Sequence, residues 1–382
     1  MKKVLAFILL VSLIIPFVAS AESDDIVGYH KGFFIKSRDG NFKLTITSKT
    51  RVKWQLLRTT KESTKQTFRI RGADLQFKAD IYKKYYTFLK LYHSTKSQYY
   101  SGVNILYGGI GARFSPYFNL EAGIVDLPLQ FPSGDSLLSE GSLVVTQADG
   151  QVELTPLRSS FGSPTGLGVW ADGGIDKFFY QAAVINGNDD PYILNVNKWV
   201  SAGFLVGYHI LGDANTKDDY ACSVTPQLTV TSGFNYQGKR YQMDATNTNV
   251  TARINYLLTG SMGAGFRYSG FSATGNAFLR KTNVPWSNLV WTRSNLTDFG
   301  YYLTLGYYIF PKKLQAVLQG GQIFRQGPDN NSNQLGGGLN YYIVGQNIML
   351  TADYIWTEDY DDVAGRKNNQ EHMFGIMMTA KF

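Results

Sequence analysis

Cysteine is almost absent from this chain. Cys222 is the only one in 382 residues, so no internal disulfide can staple the fold, and its thiol can be buried, exposed or linked to another chain. Long apolar runs are missing too. After residue 21 no segment approaches the roughly 18 to 20 consecutive apolar residues of a membrane helix, which leaves a soluble fold or a closed barrel of strands. No Pro-rich linker, charge block or low-complexity tract divides the chain, and no helical periodicity stands out, so one continuous all-β architecture is expected. Histidine is scarce as well. His30, His93, His209 and His372 lie in no metal-binding or catalytic spacing, so neither cofactor nor metal is expected. Charged residues are only 17%, and the formal charge of +8 is spread along the chain rather than gathered on one nucleic-acid-binding face.

The single apolar run comes first. Lys2 and Lys3 precede Val4 to Ile15, and Ala19-Ser20-Ala21 forms a small-x-small cleavage site, so residues 1–21 read as a signal peptide without the cysteine of a lipoprotein. Residues 22–41 read as a lead-in on the inner side of the membrane, and 42–382 as the barrel.

What the chain has in excess is Tyr 25, Phe 24 and Gly 39, arranged with a period of two. Phe42, Leu44, Ile46, Val52, Trp54 and Leu56 share one parity, while Lys43, Thr45, Thr47, Lys49, Arg51, Lys53 and Gln55 share the other. One face is oily and the other wet and basic, as in a strand between lipid and water. At the far end Phe374, Ile376, Met378, Ala380 and Phe382 share a parity, blurred by Met373 and Met377 on the other face. Tyr85-Tyr86, Tyr307-Tyr308 and Tyr341-Tyr342 stand near strand ends, where they suit an interfacial girdle or ordinary β-propensity.

Alternation and turn residues place strand starts near 42, 67, 85, 102, 117, 165, 177, 198, 224, 248, 262, 298, 313, 334, 347 and 370. This predicts a transmembrane antiparallel β-barrel of about 16 strands, long connections alternating with short ones. Ser269-Gly270 offers a further turn, but an even strand count favours one long strand over 262–281, with Thr259 to Ser261 as the preceding short turn. Leu211 to Ser223 fits poorly, being long where a short turn is expected. Its Asp213, Asp218 and Asp219 lack the spacing of a calcium loop and read as a solvated turn.

The longest connection runs from Leu127 to Pro164, and a loop of that length within a compact fold is usually functional. We expect this connection, the third long loop, to fold inward as a constriction. With Asp126 just before it, it carries Asp135, Glu140, Asp149 and Glu153 against Arg158. Lys43, Lys49, Arg51 and Lys53 either face it, setting a transverse field across water, or solvate the lumen and strand end. Arg69 and Arg71 share parity with Leu75 and Phe77, and only a bulge near Gly72 turns them inward. A barrel enzyme would need a Ser/His or His/carboxylate constellation, and an adhesin would leave the lipid-type parity without a purpose.

Gly306-Tyr307-Tyr308-Ile309-Phe310-Pro311-Lys312-Lys313-Leu314 resembles the Gly-Tyr-x-x-x-Pro-Lys-Lys-Leu hairpin of the phosphate-selective porin O and P family. Gly338-Leu339-Asn340-Tyr341-Tyr342, Ser37-Arg38-Asp39-Gly40-Asn41-Phe42-Lys43-Leu44, and Gly270-Phe271-Ser272 with Gly275 and Arg280 are similar to further pieces of that family, in the same order. The resemblance implies a sixteen-stranded, trimeric outer-membrane pore for small ions and solutes, with surrounding lipid and the bacterial barrel-assembly machinery as partners. It also implies Phe382 as the assembly signal. Two basic positions depart from its pattern: Asp126 stands in Gly123-Ile124-Val125-Asp126-Leu127-Pro128 where the family has Lys, and Gln319-Gly320 where it has Arg-Tyr. The expectation is therefore a weakly ion-selective diffusion pore, with an anion- or phosphate-selective channel as the alternative.

Overall fold

A computed structural model of the chain describes residues 26–30, 32–60, 63–93, 103–130, 137–139, 161, 164–186, 199–213, 218–238, 240–243, 250–283, 295–326, 331–358 and 370–382, with backbone alone over 240–243 and 250–254. Two short strands, β1 (Val27–Tyr29) and β2 (Phe33–Lys36), precede the long ones. Then come β3 (Phe42–Thr59), β4 (Lys65–Ile81), β5 (Tyr85–His93), β6 (Asn104–Ser115), β7 (Phe118–Asp126), β8 (Thr165–Ile175) and β9 (Phe178–Asn186). The middle of the chain gives β10 (Val200–Leu211), β11 (Gln227–Gln237), β12 (Arg240–Met243), β13 (Val250–Ile254), β14 (Tyr256–Tyr268) and β15 (Phe271–Asn283). The last are β16 (Asn295–Phe310), β17 (Leu314–Phe324), β18 (Ser332–Val344), β19 (Ile348–Glu358) and β20 (Gln370–Lys381).

Each long strand pairs antiparallel with the next long one, and β20 returns to pair with β3 over Thr59↔Glu371 to Lys49↔Lys381. Of the 18 strands in this sheet, setting aside β1 and β2 leaves sixteen in a closed ring. Closure leaves no unpaired edge, which is the condition for crossing lipid with strands. Buried and exposed positions alternate along β16, where Leu296, Asp298, Tyr302, Thr304 and Tyr308 face inward and Phe299, Tyr301, Leu303 and Tyr307 face out. The same parity carries round the ring through the register.

The strand count meets the expectation, but two boundaries do not. Ser269 and Gly270 have positive φ, 51° and 82°, and form the two-residue turn between β14 and β15, so 262–281 is not one strand. A left-handed pair at a two-residue loop matches the right-handed twist of its strands, and glycine takes that conformation without penalty. Thr259 to Ser261 lies within β14, and the segment near 248 belongs to the β12–β13 hairpin of the preceding connection. Counting one strand too many before this turn and one too few after it left the total unchanged.

The tyrosine pairs do not form a girdle as pairs. Successive side chains on a strand point to opposite faces, so Tyr85, Tyr307 and Tyr341 are exposed on the outside while Tyr86, Tyr308 and Tyr342 are buried inside. The loop after β10 is not a solvated turn either. Asp219 is buried, accepting from the Ser223 amide at 2.9 Å and the Gly270 amide at 2.7 Å, and Asp218 reaches Tyr308.

At the seam, β2 pairs with β3 over Phe33↔Ile46 to Lys36↔Lys43, just where β20 stops opposite Ser48. The β1–β2 hairpin thus continues the line of β20 along β3. Phe33 meets the Phe382 ring edge-on at 5.6 Å, so the residues read as a lead-in carry part of the sheet.

Candidate pore lumen

Inside the ring, alternation should put polar residues against water, and where it does not, the long connection supplies the reason. Val125, Ala183 and Ile185 face inward and bury Leu127. Phe278, Tyr302 and Ile323 bury Leu129 and Phe161, with Phe161 stacked on Phe278 at 5.3 Å and the Arg280 guanidinium 4.8 Å from the ring centre. Val317, Ile355 and Met373 bury Leu138. The described residues of the 127–164 connection therefore lie within the barrel, held by three apolar anchors.

Hydrogen bonds satisfy its backbone between those anchors, as buried amides require. Asn235, with its amide nitrogen turned to the loop, donates to the Pro128 carbonyl at 2.9 Å. Ser261 donates to the Leu129 carbonyl, and Asn340 to the Leu137 carbonyl at 2.9 Å. Asp353 accepts from both the amide of Ser139 and its hydroxyl, the latter at 2.9 Å. Inward glycines give the loop room. A β-carbon at Gly233 would stand 2.7 Å from the Leu129 oxygen, one at Gly336 3.2 Å from Leu138, and one at Gly375 2.8 Å from both Asp353 and Lys53. No side chain larger than hydrogen fits at Gly375 without moving buried neighbours.

These contacts run over β7 to β11 and β14 to β20, with Leu57 at the far end of β3 beside the Leu138 cluster. The inner face of β3 to β6, away from most of these anchors, is basic. Lys43, Lys49, Arg51 and Lys53 share the inward side of β3. The β3–β4 register shifts between Arg51 and Val52, where Gly72 and Ile70 are the partners, so Arg71 is the extra residue of a bulge. The bulge brings Arg69 opposite Lys53 and inward, as the conditional reading of the sequence required. Arg71 occupies the bulge itself.

Three more inward cations went unnamed in the sequence reading. Lys78 lies 5.0 Å from the centre of the Tyr86 ring, and Arg113 covers the same ring at 4.4 Å. Lys90 is 3.7 Å from Asp74 and 6.0 Å from the Tyr107 ring. Arg113 also pairs with Asp80 at 2.7 Å. Cation–π contact and single carboxylates hold these side chains against the wall while it keeps a basic excess. The signal that finds them is strand parity: Asp74, Lys78 and Asp80 alternate, as do Tyr86 and Lys90.

Other expected site residues are placed differently. Lys53 is 0% exposed, covered where Ser139 of the loop meets β19 and β20, so it does not reach water in the lumen. Asp126 ends β7 and accepts from Tyr107 at 2.6 Å and from Thr165. Asp135, Glu140, Asp149, Glu153 and Arg158 lie outside the described residues. Phe382 exchanges backbone hydrogen bonds with Ser48, both at 2.9 Å.

Sixteen closed strands, an oily exterior, a polar interior and a long loop turned inward define the architecture of outer-membrane porins. Solved structures share it along nearly the whole chain. The anion-selective porin from Comamonas acidovorans is 11% identical with a TM-score of 0.61, covering 89% of this chain and 100% of its own. OmpF of Salmonella typhi is 12% identical with a TM-score of 0.59, covering 91% and 100%. The outer-membrane protein OmpT of Vibrio cholerae is 12% identical with a TM-score of 0.58, covering 91% and 100%. No protein-family profile matches the chain, and no curated protein does.

Proposed function

We propose that this chain is a porin of the bacterial outer membrane, exported by its signal peptide and opening a water-filled path for passive diffusion of small hydrophilic solutes and ions. The observation that carries it is a closed barrel whose long connection, where described, is anchored to the inner wall, with charged side chains on the inward face of β3 to β6. Lipid outside, the barrel-assembly machinery acting on Phe382, and a homotrimer complete the assignment, supported by the shared fold and the resemblance to the phosphate-selective porin O and P family. The mechanism needs no chemistry from the protein. A low-dielectric wall bearing opposed charges focuses a field across the gap, which orients dipolar solutes and slows apolar ones.

The basic wall favours a second reading, weak preference for anions, since Lys43, Lys49, Arg51, Arg69, Lys78, Lys90 and Arg113 outnumber Asp74, Asp80 and Glu121 there. A dedicated phosphate site would need several convergent donors, Arg above all. Planar-bilayer recording tests both readings. Stable conductance steps are expected, with a reversal potential in a potassium chloride gradient displaced modestly toward chloride. Absence of steps would overturn the pore, and block of the current by micromolar to low millimolar phosphate would establish a phosphate channel instead.

A further inference from the structure

Among the short connections of the barrel, the one from β10 to β11 stands apart. Its neighbours on that side turn in two or three residues, as at Ser269-Gly270 and Gly345 to Asn347, whereas this one spans 212–226. Its described part travels sideways inside the mouth. The Ser269 amide donates to the Ser223 carbonyl at 2.9 Å, and Asp219 holds the Gly270 amide, so residues 219–223 sit on the β14–β15 turn. Beyond it Tyr220 packs against Tyr308 at 5.9 Å and Tyr342 at 5.2 Å, both inward residues, of β16 and β18. Asp218 lies 3.1 Å from the Tyr308 hydroxyl and accepts from Gln346 of the β18–β19 turn at 3.4 Å. Residues 218–226 thus run from the foot of β18 back to β11, crossing the inner ends of the strands between.

From that foot, hydrogen bonds climb the wall. The Tyr308 hydroxyl is 2.8 Å from that of Tyr342, which is 3.0 Å from the Gln315 carbonyl oxygen. Asn340 donates to the same oxygen at 3.1 Å and to the Leu137 carbonyl at 2.9 Å. Leu137 belongs to the inward loop.

We infer that the β10–β11 connection is a strap forming a second constriction at the inner mouth of the pore, and that it braces the third loop through Tyr342, Gln315 and Asn340. This rests on the diffusion-pore reading. A single narrow zone would make conductance depend on the third loop alone, whereas two zones in series make it depend on both. Buried hydrogen bonds in series transmit strain along the chain, so releasing the lower end loosens the upper.

The experiment is single-channel recording in planar bilayers of the full chain beside a variant in which Asn-Gly replaces residues 213–226. The strap-free pore is expected to conduct about 1.5-fold more or better, because the narrowest cross-sections in series set the current, with added flicker from the loosened loop. Equal conductance and equal noise would overturn the inference while leaving the pore intact. Absence of steps from the unmodified chain would overturn the pore reading itself and the strap with it. Should the shortened variant not fold, the native thiol decides. Cys222 is the only cysteine and is partly exposed on the strap, so a bulky maleimide added from the inner side should cut the current of the unmodified chain, and a labelled pore with undiminished current would overturn the inference.

Discussion

Replacing Asp353 by Ala tests whether the third loop is held where its contacts place it. The carboxylate is almost wholly buried on the inner face of β19 and accepts two hydrogen bonds from Ser139 of the loop. Bonds to a charged acceptor contribute about 1.5 to 3 kcal/mol each. Their joint loss would cost roughly 3 to 6 kcal/mol, from which water entering the vacated space returns a share. The fully buried Lys53 lies beside the same Gly375, so removing a neighbouring carboxylate raises its cost as well. A net loss of about 3 kcal/mol corresponds to roughly a hundredfold shift of the Ser139 segment toward release. The sixteen strand pairings do not involve this side chain, so the barrel should still assemble and run as a heat-modifiable band. Leu138 and the Asn340–Leu137 bond remain as anchors, so the expected record is a fluctuating current with new sub-levels rather than one larger step. Asp353→Asn, which keeps an acceptor for Ser139, should fall between. Unchanged conductance, noise and loop proteolysis in Asp353→Ala would refute the account of the anchor.

Lys49→Glu and Arg51→Glu should each move the reversal potential toward cations by several millivolts, while Lys53→Met, changing a residue with no exposure, should leave it within error; a Lys53 effect as large as the others would contradict its burial. Deleting Phe382 removes its contact with Phe33 and its two backbone bonds to Ser48, and should lower the folded fraction on semi-native gels; an undiminished folded band would refute its part in closure and assembly. Burial raises the Asp218 carboxyl above the ordinary range, against the opposing effect of its Tyr308 and Tyr342 donors. A group whose folded pKa is raised contributes stability below its unfolded pKa and loses it as pH rises through the folded value, so the thermal midpoint of the unmodified chain should gain on Asp218→Asn as pH falls through the raised value; parallel curves would refute this. An impermeant maleimide too large for the pore should label Asn331→Cys on intact cells and native Cys222 only after the membrane is opened, and the reverse order would invert the topology.

Strand parity made most of the barrel legible, because lipid on one side and water on the other impose a period of two on every strand. It failed where that contrast is blunted. Met373 and Met377 blurred the last strand because they face inward, Met373 beneath Leu138, so the exceptions to alternation mark the footprint of the loop. The Ser269-Gly270 turn was legible from its residues and was overridden by the demand for an even count, which could not see that the 248 segment belongs to a hairpin outside the ring. The strap was visible only as a misfit in length. Its buried carboxylates are partnered by Tyr308, Tyr342, Gln346 and Gly270, about fifty to more than a hundred residues downstream, a distance over which no local pattern informs.

The same footprint decides which charges matter to a passing ion. Arg280 and Asp298 face inward on β15 and β16, but they pair at 3.2 Å under Phe161, nearly without exposure, and their field is largely spent on one another. Lys43, Lys49, Arg51, Lys78 and Lys90 of β3 to β5 are partly exposed and backed by fewer carboxylates. Net charge summed over the sequence therefore misstates the pore, because half the lumen wall serves as a seat for the loop and is tuned for fit. Glycines at 203, 233, 336 and 375 and apolar residues at 185, 278, 323 and 355 do that work. A substitution on the seated half should act through the position of the loop, changing noise and size limit together. One on the open half should act through the field, moving the reversal potential with the conductance pattern unchanged.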